Sequence, residues 1–298
     1  MIKKIIFAIS IVLLLPVFSC NNSTNEEEPP HFVDDDAPEI DEDAINKVLE
    51  SFSSPVELAA LIKDLKVPFS KKYLASPDDA DDYDTNFKKA LGLGILSADL
   101  GYLNVYAKTS EIVNYLAVIK KISDDLNIGQ FFDFQTLKRL ATNNDNMDSL
   151  MFLSVSSFHQ MDEHLRKNGR SNLSALVVTG VWMEGLYLST QIMSERASPE
   201  LFERIGEQKM ILEQIYNILE VYQERDKNFE RVVKDFAPLK EEYEKVQITY
   251  VIGESRTVVI DGQEVIISGD QSKVIMSDEQ LKKIISLTEQ IRNKLISL

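Results

Sequence analysis

Residues 87–106 read FKKALGLGILSADLGYLNVY, and this stretch decides the fold. Past Lys89 it carries one formal charge, Asp99. Apolar or small residues recur at Phe87, Ala90, Leu91, Gly94, Ile95, Ala98, Tyr102 and Val105, the 3.6-residue period of a helix. The remaining sides are apolar too, at Leu93, Leu96, Leu100 and Leu103. A helix apolar all round is either a core helix or a membrane span. Asp99 interrupts the apolar run too early for a span, so the stretch predicts a central core helix. Gly92, Gly94 and Gly101 each cost about 1 kcal/mol of helix propensity against Ala. Together with Ser97 and Ala98 they predict a surface that another helix approaches closely.

A second such helix is expected over Leu173–Met193, LSALVVTGVWMEGLYLSTQIM, with Glu184 its only charge. Asp99-x-x-Tyr102-Leu103 matches Glu184-x-x-Tyr187-Leu188 at a spacing of 85 residues. Each segment is followed by a capped amphipathic helix, as in two helical hairpins packed about their apolar members. An ionised carboxylate buried alone costs more than a domain's margin of stability. Asp99 and Glu184 must therefore be partnered, reach water, or keep a proton. Asp99, Tyr102, Glu184 and Tyr187 are thus the candidate ligand-binding residues. The competing reading is a structural hydrogen bond from Tyr102, Tyr187 or a neighbouring lysine.

Around this pair the chain reads as helices with identifiable ends. Residues 44–52 and the Ser54-Pro55-Val56-Glu57 cap predict two helices before about Leu65. Thr109 or Ser110 caps a helix ended by Gly129, and short helical patterns follow over 134–141 and 150–166, the latter stopped by Asn168-Gly169. Ser198-Pro199 opens a helix to about Gln223, and another runs from about Asp226 towards Val246 through Pro238. The period then changes. TVVI, Asp261-Gly262 and VIIS form a hairpin signature, KVIM offers a further strand, and Ser277 to Gln280 is a capping box for a closing helix to about Leu295. The expected fold is mainly α: a helical bundle of eight to ten helices over 44–298, with a small β-hairpin near 256–276 before the last helix.

The N-terminus has a different character. In MIKKIIFAISIVLLLPVFSC, Lys3 and Lys4 precede an apolar run from Ile5 to Val17, a signal-peptide pattern over 1–19. The ending Val17-Phe18-Ser19-Cys20 resembles a bacterial lipobox, although Phe18 departs from the usual pattern. That resemblance implies cleavage before Cys20 and its lipidation. Cys20 is the sole cysteine, which excludes an internal disulfide. Residues 20–43 hold ten acidic side chains and no basic one, the composition of a disordered tether. Glu26-Glu27-Glu28 resembles the surface-export signal of Bacteroidota lipoproteins. Cleavage would leave 30 basic and 48 acidic side chains, a net charge of −18. Such a charge repels nucleic acid and anionic lipid, so attachment to a membrane would fall to the lipid.

Enzymatic motifs are sparse. The three histidines are His31, His159 and His164, and the two inward-facing Glu-x-x-His pairs that a di-iron bundle needs do not occur. His159, with Asp162 and Glu163, is a weak metal candidate against a solvated helix face. Asp82, Asp84 and Asn86 imitate half an EF-hand loop, but Phe87 and Leu93 stand where its glycine and glutamate belong. No serine-hydrolase elbow, phosphate loop, dinucleotide fingerprint or zinc spacing is present. Trp182, the one tryptophan, reads as core. Lys209, Lys227, Lys234 and Lys240 read as solvated charge. No cofactor, metal or catalytic residue is expected.

KKALGLGILSADLGYLNVY, IGQFFDFQTLKRLATNN, RSNLSALVVTG, IGEQKMILEQ and SDEQLKKI resemble a family of uncharacterised Bacteroidota lipoproteins. The resemblance spans the chain from about residue 44. It implies an outer-membrane setting, periplasmic or surface-exposed, and carries over no catalytic residue. The expected function is a lipid-anchored binding or scaffolding protein with a protein partner in the envelope. The alternative is a small-ligand or cation binder or sensor with its site between helices 87–106 and 173–193. An enzyme comes third, since acid–base work would rest on carboxylates and tyrosines.

Overall fold

The computed structural model describes residues 65–142, 147–251, 253, 256–260, 263–267 and 271–297. The expected signal peptide, Cys20, the acidic segment and the two helices expected before Leu65 lie outside the described residues. Within them the chain is a helical bundle with a small antiparallel β-hairpin before its last helix. The α-helices are α1 (Asn86–Val105), α2 (Thr109–Asp125), α3 (Phe134–Ala141), α4 (Met147–Lys167), α5 (Ser171–Glu195), α6 (Pro199–Gln223), α7 (Lys227–Glu244) and α8 (Asp278–Ile296).

The most extensive helix pair is α1 with α5, and glycine is the reason. A Cβ placed on Gly94 would lie 2.1 Å from the Val177 carbonyl oxygen, and one on Gly180 2.3 Å from the Leu91 carbonyl oxygen. The two backbones therefore touch at a reciprocal Gly94–Gly180 crossing. Asp99 and Glu184 meet one turn further along both helices, so α1 and α5 run in the same direction. Each also packs on its successor, α1 on α2 and α5 on α6. This is the paired-hairpin arrangement that the 85-residue repeat predicts. Among the described residues α5 alone is long and apolar enough to cross a membrane, but 83% of its most apolar window is buried inside the fold. Its hydrophobicity serves the protein core.

The helix ends are set largely by local sequence. Thr85 caps α1, Ser198 caps α6 with Pro199 in the first turn, Asp226 caps α7, and Ser277 with Gln280 forms the full capping box of α8. Pro238 lies within α7. The end of α2 differs from expectation. The helix stops at Asp125, and Asn127 takes the left-handed conformation, φ 57°. Gly129 instead begins a 3₁₀ turn to Phe131. Asparagine tolerates that backbone because its short amide can bond locally.

The β structure is larger than the expected hairpin. The strands are β1 (Gln247–Val251), β2 (Arg256–Ile260), β3 (Gln263–Ile267) and β4 (Gln271–Ile275). β2 pairs with β3 antiparallel, with Ile260 opposite Gln263, while Asp261 and Gly262 lie outside the described residues. β4 pairs with β1, with Gln247 opposite Ile275 and Val251 opposite Gln271. The face carrying Ile248, Tyr250, Ser272 and Val274 rests on α6. There Val274 covers Gly206, Ser272 bonds Glu207, and the Val274 amide donates to Glu203 at 2.6 Å.

Candidate functional site

The two lone acids of the apolar helices come together, and a third helix supplies a cation for Glu184. Arg292 of α8 grips Glu184 with both arms of its guanidinium: Nε to Oε2 and Nη2 to Oε1, each at 2.8 Å. Both side chains are buried, at 5% and 0% exposure. Nη2 also donates to the Tyr73 carbonyl at 3.1 Å, and the guanidinium stands 4.6 Å from the centre of the Tyr187 ring. Asp99 lies within hydrogen-bonding reach of Glu184. Its Oδ2 accepts the Ala75 amide at 2.9 Å, and Tyr115 of α2 donates to the Ala75 carbonyl at 2.6 Å.

Of the four candidate residues, Asp99 and Glu184 form the centre and Tyr187 stacks beneath the cation. Tyr102 turns away: its hydroxyl accepts the Ser70 amide at 3.2 Å, and its ring packs with Phe69 and Tyr106. The partner of the acids is neither a tyrosine nor a lysine. Arg292 had a sequence signal nonetheless. Leu281, Ile284, Thr288, Ile291, Arg292 and Leu295 are the buried positions of α8, so the arginine falls on an apolar stripe. A cation there calls for a buried anion.

The electrostatics follow from burial. Removal from water, then the neighbouring Glu184, hold the Asp99 carboxyl well above the usual carboxylate range. Burial also raises Glu184, with the bidentate Arg292 working against it. Burial opposes the Arg292 charge, but Glu184 holds the guanidinium above its ordinary value. Burial pushes the Tyr83 phenol up to about 12, and raises Tyr115 and Tyr187 as well. Chemically this is a closed ion pair with an extra carboxyl. Arg292 already occupies both oxygens of Glu184, so an exogenous cation there would have to displace it.

The other candidates are scattered. Asp81 pairs with Lys121 at 2.7 Å and Asp84 with Lys88 at 2.9 Å, while Asp82 lies in a 3₁₀ turn. His159 is exposed, Glu163 pairs with Lys167, and Asp162 is buried against Arg166 rather than solvated. No group of three metal-ligating side chains forms among the described residues. Trp182 is core, its Nε1 donating to Gln208 at 2.9 Å. Lys234 and Lys240 pair with Glu230 and Glu244. Lys209 departs from the reading as solvated charge, since it donates to the Glu244 and Val246 carbonyls and so caps the end of α7. A surface pocket of about 300 Å³ lies at the end of α8, lined by Asp79, Asp82, Tyr83, Lys88, Gly92 and Leu295–Ser297. Tyr83 covers Gly92 and forms its inner wall. No protein family, curated protein or solved structure matches the chain.

Proposed function

We propose that the chain is a lipid-anchored protein of the bacterial cell envelope, whose helical domain binds or scaffolds a protein partner and carries out no chemistry. One observation carries the anchor: the only cysteine, Cys20, directly follows a basic n-region and an apolar h-region that end in a lipobox-like Val17-Phe18-Ser19. The acidic run Glu26-Glu27-Glu28 behind Cys20, which resembles a surface-export signal, supports an outer-membrane location, facing the periplasm or the outside. The acid pair supports a non-enzymatic domain, because Arg292 closes it and leaves neither carboxylate open to a substrate. Labelling with radioactive palmitate and membrane fractionation test the anchor. Cys20→Ser should lose the label, and the protein should leave the membrane fraction or persist as uncleaved precursor. Normal processing with full membrane retention would sink the proposal.

The alternative, a small-ligand or cation site at Asp99, Tyr102, Glu184 and Tyr187, is favoured by the convergence of the two acids. It requires Arg292 to move aside. A saturable rise in melting temperature with calcium or magnesium, absent in Asp99→Asn, would favour it over the scaffolding reading.

A further inference from the structure

Residues 67–76 form a strap across the acid pair. Apart from a 3₁₀ turn at Lys71–Tyr73 the segment has no regular structure, so helix or sheet ladders do not serve its backbone. Such segments ordinarily give their polar groups to water. Here side chains of three helices take them. Tyr106 donates to the Val67 carbonyl at 2.9 Å, and Tyr102 accepts from the Ser70 amide. Arg292 holds the Tyr73 carbonyl, while Asp99 and Tyr115 hold the two sides of Ala75. Tyr73 and Ala75 are each 3% exposed. Two of these five bonds come from the acid–arginine network itself.

That network needs a proton. Asp99 Oδ1 is fully buried and no donor reaches it. Its neighbour Glu184 offers only acceptor oxygens when ionised. A hydrogen on Oδ1 satisfies both, with Asp99 donating to Glu184. The trio of Asp99, Glu184 and Arg292 is then neutral; without the hydrogen it is an anion in a buried site. The titratable groups around Asp99 are Glu184 and Tyr187 on α5, Arg292 on α8, Tyr115 on α2, Tyr102 on its own helix, and Tyr83 before α1. Arg292 is the one cation among them, and Glu184 already holds it.

We propose that Asp99 and Glu184 share one proton and that this proton latches the 67–76 strap, which loosens from the domain when the proton leaves. The strap is the wall that yields, because α1 and α5 are locked at the Gly94–Gly180 crossing and α8 has its own backbone ladder. The sign follows from the raised Asp99 carboxyl. An unfolded aspartate loses its proton near its ordinary value of 3.8, well below the folded one. The stability that the proton confers is therefore complete below that value and is lost as pH rises through the folded one. The latch stands on these contacts and is independent of the lipid anchor.

Hydrogen–deuterium exchange on the full chain between pH 5 and 9, normalised to an unstructured peptide, tests the latch. In the wild type, protection of 67–76 should fall by about tenfold per pH unit while the closed strap keeps the proton and the open one has lost it, and level off once the closed form ionises, while α1 and α5 keep theirs. In Asp99→Asn an amide N–H replaces the shared proton, and the strap should stay protected across the range. The same pH dependence in both proteins overturns the proposal. Should Asp99→Asn not fold, the carbon-13 shift of the wild-type Asp99 carboxyl decides. A protonated carboxyl at pH 6 supports the latch, and an ionised one overturns it.

Discussion

At the scale of single residues, the fold turns on a charge balance that no pairwise view captures. Two carboxyls and one guanidinium share a buried spot, and either acid can serve as the counterion of Arg292. Asp99→Asn keeps the ion pair and should change stability by less than about 1 kcal/mol, as expected for a near-isosteric polar swap with its hydrogen bonds intact. Glu184→Gln removes the bidentate partner, but Asp99 can then ionise and take its place. The double variant leaves Arg292 buried without an anion, which costs about 3–5 kcal/mol. Urea unfolding of the four proteins at pH 7 should therefore give an interaction energy well above 0.5 kcal/mol, whereas independent sites add to within that figure. Simple additivity would show that the acids do not substitute for one another. Arg292→Ala should also cost about 3 kcal/mol or more at pH 7 and less at pH 5, where Glu184 more readily takes up a proton.

At the scale of elements, the glycines of α1 separate by what they face. Gly94 and Gly180 meet the opposing backbone, which cannot turn aside as a side chain can. Gly94→Ala and Gly180→Ala should each cost about 1–3 kcal/mol through forced separation of α1 and α5. A Cβ on Gly101 or Gly185 meets nothing within 4 Å. Gly101→Ala and Gly185→Ala should each stabilise by up to about 1 kcal/mol through helix propensity alone. Thermal unfolding of the four variants checks the split, and equal losses at all four positions would contradict the crossing. The periodicity that made α1 and α5 legible also pointed to their close approach, but not to which glycine makes it. Capped elements such as α6 and α8 were readable because their signals are local. β1 was not: Ile248 and Tyr250 alternate over only five residues directly after a helix, too short a pattern to stand out. The strap was invisible for a different reason. Its bonds run to side chains up to 219 residues away, from Tyr73 to Arg292, and sequence spacing holds no trace of that.

At the scale of the whole molecule, charge divides the chain. Of the net −18 expected after cleavage, ten negative charges belong to residues 21–43, and the remaining −8 to residues 44–298. A tether and a domain of the same sign repel, so the acidic segment has no electrostatic reason to dock. It also has little apolar surface with which to offset the entropy of ordering. Among the described residues one hydrophobic cluster runs from Val67 to Leu295, and side chains of α1, α2 and α8 hold the strap at 67–76. A chain beginning at Asp41 should therefore melt within about 4 °C of the chain beginning at Cys20, the shift that a change near 1 kcal/mol produces in a domain of this size. Repeating the melt at low and high salt separates the two accounts of any difference. Repulsion between tether and domain would make the longer chain slightly less stable at low salt, and the gap would close as salt screens it. A shorter chain that loses far more than 4 °C at every salt concentration would show that residues 20–40 pack against the helical core.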